Sequence, residues 1–373
     1  MYKEFKKIIN DNKKLNHLLF EDDNLFFLQY LEKEYFKKID FIYIDPPYNT
    51  GKKFVYNDRK DNWNLFMKER LEIAYKLMKN GAFMFISIDD YSFCSLKFIC
   101  DEIFKPKKNI VPFIRRTSSG GRNSSSYVSA VHDYVLVYQK IEEKTDKILI
   151  SPNDNNTKYP LEDSRGVYKL RSLKRDNSNK NTNMNFNIKN PNDGKIYQCE
   201  LGWRWGSKKV EWGIENDYIV FKNDSVYFKE YRDFNNEGNE IKRKTTIESI
   251  LEDFPNSLGT NDLKNVLGIN TCPFNNPKPV ELIKYLINIC NLEDNAIILD
   301  FFAGSGTTGQ AVLELNKELD KDYQFLLCTN NEENICEEIT YKRIENLLNG
   351  YKNLKGEDIN KINENLIYYK KNT

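Results

Sequence analysis

Four short apolar runs, set between stretches of helical periodicity, constrain this chain more than any other feature. They are "FIYID" (41–45), "AFMFISID" (82–89), "AIILDFF" (296–302) and "YQFLLC" (323–328). Each is continuous rather than alternating, the pattern of a strand buried on both faces. The spacing of apolar residues predicts helices over 24–38, 62–81, 91–104, 278–290, 307–319 and 337–349, the second stopped by Gly81. Strand and helix in alternation predict an α/β fold: a doubly wound, mostly parallel sheet covered by helices.

The alternation breaks between residue 105 and about 260, where the chain turns polar, basic and aromatic. "DYVLVYQK" (133–140) reads as a strand that still belongs to the sheet, and the Asn-rich 175–190 as a loop or extended segment. A net charge of +1 hides an asymmetry. Residues 105–244 hold 27 Lys and Arg against 18 Asp and Glu, while the rest of the chain carries −8. A basic middle between acidic flanks is the pattern of a polyanion-binding insertion. The expected organisation is therefore 1–110, an inserted region over 111–265, and 266–373.

Several classes are set aside. No apolar run reaches the roughly eighteen residues of a membrane span, and the N-terminus has no signal-peptide core. The seven cysteines stand singly, without a C-x-x-C pair, so reduced, buried thiols in a cytoplasmic protein are expected. With only two histidines, His17 and His132, no histidine-based metal site or hydrolase triad is expected.

Two strand ends carry chemistry. After "FIYI" comes Asp45-Pro46-Pro47-Tyr48, a rigid turn with one carboxylate and one flat ring. "LDFFAGSGTTGQAV" places Asp300 at the end of a strand, then a glycine-rich turn, then a helix from Thr307. Gly304 and Gly306 let backbone approach a ligand, and the helix start presents N–H groups. No Lys follows, so this is no phosphate-binding P-loop. Gly304, Gly306 and Gly309 do fit a dinucleotide-binding spacing, and an ordinary tight turn is a further reading. Asp300 would repel a pyrophosphate and attract an ammonium group. That chemistry points to a nucleoside with an amino-acid tail, S-adenosylmethionine.

"IDPPYNTG" followed much later by "LDFFAGSGTT" resembles the β-class amino DNA methyltransferases. The likeness is greatest to modification subunits of type III restriction systems and to adenine-N6 enzymes. The order is theirs: proline turn, basic region, cofactor motif. "VHDYVLVYQK", "NPKPVELIKYL" and "LLCTNNEENICEEI" are also family-like, and the resemblance spans about residues 20–345. It implies a Rossmann-like methyltransferase fold with permuted motif order, and a target-recognition insertion. It implies S-adenosylmethionine as cofactor and duplex DNA as partner, with a restriction subunit and a homodimer as further partner classes. Adenine N6 is the implied target. Cytosine-N4 relatives more often carry Ser at the position of Asp45, and a cytosine-N4 enzyme or an inactive DNA-binding relative are the alternatives.

An exocyclic amine is a poor nucleophile because its lone pair is delocalised into the ring. Acceptors aimed at its N–H bonds localise that pair. The Asp45 carboxylate and the Pro46 carbonyl suit the task, held by prolines that fix φ. Tyr48 offers a face for an extruded base, where stacking returns roughly 1–3 kcal/mol. By resemblance, Asp300, Phe302, Gly304, Ser305, Gly306 and Thr307 line the cofactor site, and Lys278 either reaches the cofactor carboxylate or is a solvated lysine at a helix start. Asp23 is either a partner of the cofactor's adenine amine or a helix N-cap. Relatives often hold the cofactor ribose with an acid after the next strand. Here that place is Thr329, followed by Asn330, Asn331 and Glu332, which leaves the ribose partner open. For DNA, Arg115, Arg116 and Arg122 suit a mobile loop on the phosphate backbone, and Lys174, Arg175 and Arg204 add charge.

Overall fold

The computed structural model describes residues 2–10, 15–50, 62–107, 110–118, 120, 128–150, 159–176, 181–235, 239 and 247–371. The chain forms two compact units, 1–152 with 247–373, and 153–246. In chain order the first part runs β1 (Tyr2–Ile8), β2 (Asn16–Glu21), α1 (Asn24–Glu34), β3 (Ile39–Ile44), α2 (Trp63–Leu77), β4 (Met78–Ile88), α3 (Asp90–Phe104), β5 (Phe113–Arg116) and β6 (His132–Gln139). The second unit holds β7 (Leu161–Asp163), β8 (Gly166–Ser172), β9 (Ile188–Lys189), β10 (Ile196–Tyr197), α4 (Ser207–Glu215), β11 (Ile219–Lys222) and β12 (Ser225–Tyr231). The first unit then resumes with β13 (Ile250–Leu251), α5 (Asn256–Leu267), α6 (Val280–Ile289), β14 (Ile297–Asp300), α7 (Thr307–Leu319) and β15 (Gln324–Thr329). A π-helical turn, Ile335–Tyr341, leads into α8 (Lys342–Asn349), and β16 (Tyr351–Lys352), β17 (Asp358–Ile359) and β18 (Asn365–Lys371) close the chain.

One ten-stranded sheet organises the first unit, in the order β1-β18-β2-β15-β14-β3-β4-β6-β5-β13. From β18 to β4 every neighbouring pair is parallel, while β6 is antiparallel to β4 and to β5. Alternate residues of the apolar runs feed two cores. Phe41 and Tyr43 of β3 join Ile283 and Leu286 of α6 and Val312 of α7. Ile42 and Ile44 join Leu31 of α1, Met67 and Leu71 of α2 and Leu96 of α3. Both faces are thus covered, which is why these strands lack polar alternation; each fully buried Ile or Phe contributes roughly 1.5–3 kcal/mol. From β14 the chain crosses to β15, and from β3 to β4 on the other side. The crevice at the β14/β3 boundary is the switch point where ligands of such sheets bind.

The second unit is an antiparallel sheet, β11-β12-β8-β7, with its own aromatic core around Trp203, Trp205, Phe228 and Tyr231. It is narrower than the 111–265 expected, because β5, β6, β13 and α5 belong to the first unit. Gly81 does not stop a helix. α2 ends at Leu77, and Gly81 lies within β4 at φ +85°, where a Cβ would stand 2.6 Å from Thr145 Oγ1. The helix expected over 337–349 begins instead as the π turn. Sequence patterning assigns nothing to β1, β2, β18, α4 or α5. All seven cysteines are free, but Cys94 is exposed and Cys272 half-buried, against the expectation of burial throughout.

Candidate active site

Parallel strands put their C-terminal ends along one edge. β3 and β14 are direct neighbours, with Leu299 opposite Ile42, so Asp45 and Asp300 emerge side by side. Asp22 and Asp23 follow β2, and Thr329 ends β15, at the same edge. A cleft of about 850 Å³ opens there, lined by Asp23, Asp45, Pro47, Tyr48, Lys278, Asp300, Phe302, Gly304, Ser305 and Thr307 among others. The proline turn and the glycine-rich turn, 255 residues apart in the chain, therefore share one cavity.

The proline turn is pinned from two helices. Trp63 Nε1 of α2 donates to the Pro47 carbonyl at 2.8 Å, and Ser92 Oγ of α3 donates to the Tyr48 carbonyl at 2.7 Å. The Pro46 carbonyl has no hydrogen-bond partner among the described residues, although Pro46 does not itself line the cleft. Tyr48 OH donates to Asp45 Oδ1 at 2.7 Å; Lys278 Nζ donates to Asp45 Oδ2 at 2.7 Å and to Tyr48 OH at 2.9 Å. Burial, and then the adjoining Asp45, push the Tyr48 phenol well above its ordinary range, so it stays protonated and donates. Lys278 is buried and lies on the proline-turn side of the cleft, paired with Asp45.

On the other side, Gly304 (φ +47°) and Gly306 (φ +78°) take left-handed conformations. Added Cβ atoms would meet Phe274 at 3.0 Å and Thr340 at 3.1 Å. Gly306 shapes the turn as the N-cap of α7 without lining the cleft. Asp300 is buried and accepts from the Phe302 N–H at 3.0 Å and from Thr308 Oγ1 at 2.5 Å. Burial outweighs these bonds, Asp45 adds to it, and the carboxyl is pushed up to about 7. The Thr307 hydroxyl donates to the Lys278 carbonyl at 3.2 Å, so Lys278 touches both turns: backbone to one, ammonium to the other. Asp23 caps α1 through the Leu25 N–H at 2.8 Å, pairs with the buried Arg70 at 3.0 Å, and still lines the cleft.

The arginines expected at DNA divide. Arg115 is corrected: it lies in β5, fully buried, in the cleft wall. Its Nε donates to Asp133 Oδ1 at 2.8 Å, its Nη2 bonds the other Asp133 oxygen, and its Nη1 donates to the Phe254 carbonyl at 2.7 Å. A guanidinium so committed belongs to the fold and is not part of a mobile loop. Arg116 is half-exposed beside Ser118, and Arg122 lies outside the described residues. In the second unit, Arg175 Nε donates to the Trp203 carbonyl at 2.9 Å, and Arg204 Nε to the Lys174 carbonyl at 3.2 Å. Lys174 bridges to Trp203, so these cations stitch the backbone around a fully buried tryptophan.

The family model for DNA methylase (N6_N4_Mtase) matches residues 39–342, a stretch that contains both turns. The chain belongs to the DNA methylase family. The chain is 31% identical over 376 residues to the type II methyltransferase M.KpnI of Klebsiella pneumoniae, covering 91% of this chain and 85% of that protein. It is 28% identical over 395 residues to the type III restriction-modification enzyme EcoP15I Mod subunit of Escherichia coli, covering 85% and 58%. With the EcoPI Mod subunit of Escherichia phage P1 it shares 29% identity over 409 residues, covering 90% and 62%. The chain thus spans about three fifths of the length of these type III subunits. What sequence reading missed are the supports: Trp63, Ser92, Arg70 and Thr340. No motif marks them; each acts only once the fold has brought it beneath a turn.

Proposed function

We propose that this DNA methylase transfers a methyl group from S-adenosylmethionine to adenine N6 in duplex DNA. The observation that carries the reading is the shared cleft, with Asp45 on one wall and the Asp300 turn on the other. The cavity suits the cofactor by size and chemistry: about 850 Å³ is within the range of small-molecule sites. A buried carboxyl with few donors around it favours a cationic group such as the cofactor's ammonium. S-adenosylmethionine supplies an activated methyl on a sulfonium. Asp300 would hold the ammonium, the Gly304–Thr307 turn would take the tail, and Asp23 would accept from the adenine amine. Glu332, which lines the cleft beside Thr329 and Asn330, is the acid available to the ribose.

Asp45 and the Pro46 carbonyl accept the two N–H bonds of the target amine and localise its lone pair. With S-adenosylmethionine bound, the localised pair would have an activated methyl to accept, and Asp45 would take the surplus proton directly or through water. Tyr48 stacks on the extruded base. The second unit, with its basic composition, supplies DNA contacts. A restriction subunit, as the Mod relatives' names suggest, and a second copy of the chain are the partners to test. Methylation mapping of DNA from a host that expresses this chain tests the reading. N6-methyladenine in a fixed sequence context is expected; N4-methylcytosine would reassign the target base, and unmodified DNA would remove the activity.

A further inference from the structure

Asn256 is the first residue of α5 and lines the cleft, half-buried, beside Arg115 of β5 and Asp133 of β6. Its side chain is held by the buried Arg115, whose Nη2 donates to Asn256 Oδ1 at 2.8 Å. Its backbone N–H donates to the carbonyl of Thr117, just after β5, at 3.0 Å. Arg115 in turn grips both oxygens of Asp133 and the Phe254 carbonyl. A guanidinium can only donate. The contact therefore decides which way the amide faces: its oxygen is turned to Arg115, and the NH2 is what Asn256 can present to the cleft. Asn256 Nδ2 makes no hydrogen bond with any described residue. Thr117 and Ser257 bring hydroxyls to the same wall. A hydroxyl can turn from donor to acceptor, whereas an amide with its oxygen bound can only donate.

This wall stands next to the proline turn. Tyr43, Asp45 and Tyr48 line the cleft together with Arg115, Asp133 and Asn256. Burial and then Asp45 do most to raise the Tyr48 phenol; Asp133 comes next, so the Arg115–Asp133 pair lies within electrostatic reach of Tyr48. What the turn offers a base is acceptors, the Asp45 carboxylate and the Pro46 carbonyl. The donors beside it are directed at the turn itself: Tyr48 OH at Asp45, and Lys278 Nζ at Asp45 and Tyr48 OH. In adenine the ring nitrogen N1 sits beside the N6 amine and is itself an acceptor. Extrusion from the duplex strips it of its partner, and an acceptor left unpaired in a desolvated site costs binding.

We propose that Asn256 reads the target base by donating from Nδ2 to adenine N1, with Arg115 and Asp133 as the positioning pair that fixes its amide. Thymine and guanine carry a proton at the corresponding ring nitrogen and would meet a donor with a donor. Cytosine presents the same acceptor at N3, so the contact selects amine-bearing bases rather than adenine alone. The inference rests on the adenine-N6 reading of the site.

The test is a cycle of two proteins and two duplexes: wild type and Asn256→Ala, each with adenine or 1-deazaadenine at the target position of the mapped sequence. The analogue replaces N1 by C–H and keeps the amine; its own effect on the amine is common to both proteins and cancels. In kcat/KM, wild type should favour adenine over the analogue by roughly tenfold more than the variant does, the scale of one hydrogen bond whose partner is left unpaired. Asn256→Ala also takes an acceptor from Arg115. A purely structural role would lower turnover as well, but would leave that ratio at the wild-type value. Asn256→Asp keeps an oxygen for Arg115 and loses the NH2. It should turn over adenine slowly with the same reduced ratio, and it decides the matter if Asn256→Ala does not fold. A wild-type ratio in the folded variant, or wild-type turnover in Asn256→Asp, overturns the inference. If the wild-type protein forms no N6-methyladenine, the adenine reading falls and this inference with it, and that arm distinguishes the two failures.

Discussion

Asp45 has both carboxylate oxygens occupied, Oδ1 by Tyr48 and Oδ2 by Lys278. In the proposed role of Asp45, a target amine would have to share or displace the Lys278 ammonium. Asp45→Asn keeps the shape but loses the charge that localises the amine's lone pair. Turnover should fall by roughly a hundredfold or more, while S-adenosylmethionine affinity changes only slightly. Methyl-transfer assays beside calorimetry measure both, and unchanged turnover would remove Asp45 from the mechanism. Asp300 makes a pH prediction. Its folded pKa, about 7, lies above the ordinary carboxyl value, so the fold favours the protonated form. The stability contributed by that proton is present at low pH and declines as pH rises towards 7. In the proposed role of Asp300, cofactor binding would run the other way, because an ammonium needs the ionised carboxylate. Affinity should drop as pH falls from 8 to 6, by up to about tenfold per unit below the pKa. Asp300→Asn should bind more weakly with a flat profile; an unaltered slope would place the titration elsewhere. The residue types at 45–48 and 300–307 were legible because their chemistry is local. The burial of Arg115 was not, since nothing in an Arg residue's neighbours in sequence states what will cover it.

Among the elements, the join of α7, the π turn and α8 backs the glycine-rich turn. Thr340 Oγ1 bonds the Gly304 carbonyl at 2.5 Å and the Ile335 carbonyl at 3.1 Å, and its methyl faces Gly306. The wider turn re-aims Thr340 onto the glycine loop, a use π turns commonly have. Gly306→Ala would put a Cβ at φ +78° and press on Thr340. It should cost about 1–2 kcal/mol in denaturant unfolding and weaken cofactor binding further. Gly309 serves packing instead: a Cβ would stand 2.6 Å from Ile344 and 2.9 Å from Leu327. Gly309→Val should therefore destabilise the first unit by about 1–3 kcal/mol through overpacking, read from the same unfolding curves. An unchanged midpoint would contradict the close approach of α7 to the sheet. Helices with long apolar periodicity were legible, α7 over its full length. β2 and β18 were not, because short strands take their identity from the neighbours they pair with.

For the molecule as a whole, the second unit has its own polar hub. Asp163 accepts from Tyr231 OH at 2.6 Å, Lys229 Nζ at 2.9 Å and the Arg165 N–H at 3.0 Å. Burial alone would raise its pKa, but these bonds outweigh it and hold the carboxyl down at about 2. A depressed carboxyl contributes stability above its unfolded value near 3.8, and loses it as pH falls through 2. Three of the four tryptophans, 203, 205 and 212, lie in this unit, so intrinsic fluorescence follows it. Asp163→Asn should lower the fluorescence-monitored unfolding midpoint at pH 7 and flatten its decline between pH 4 and 2. An unshifted midpoint would deny the hub its role. The chain's patterning by itself determined the α/β class and the two acid-ended strands, because periodicity and turn chemistry are written in consecutive residues. Only the tertiary structure decided that β3 and β14 are neighbours, that Lys278 spans their turns, and which cations are buried. Those outcomes come from strand order and packing between residues hundreds of positions apart, where no local signal reaches.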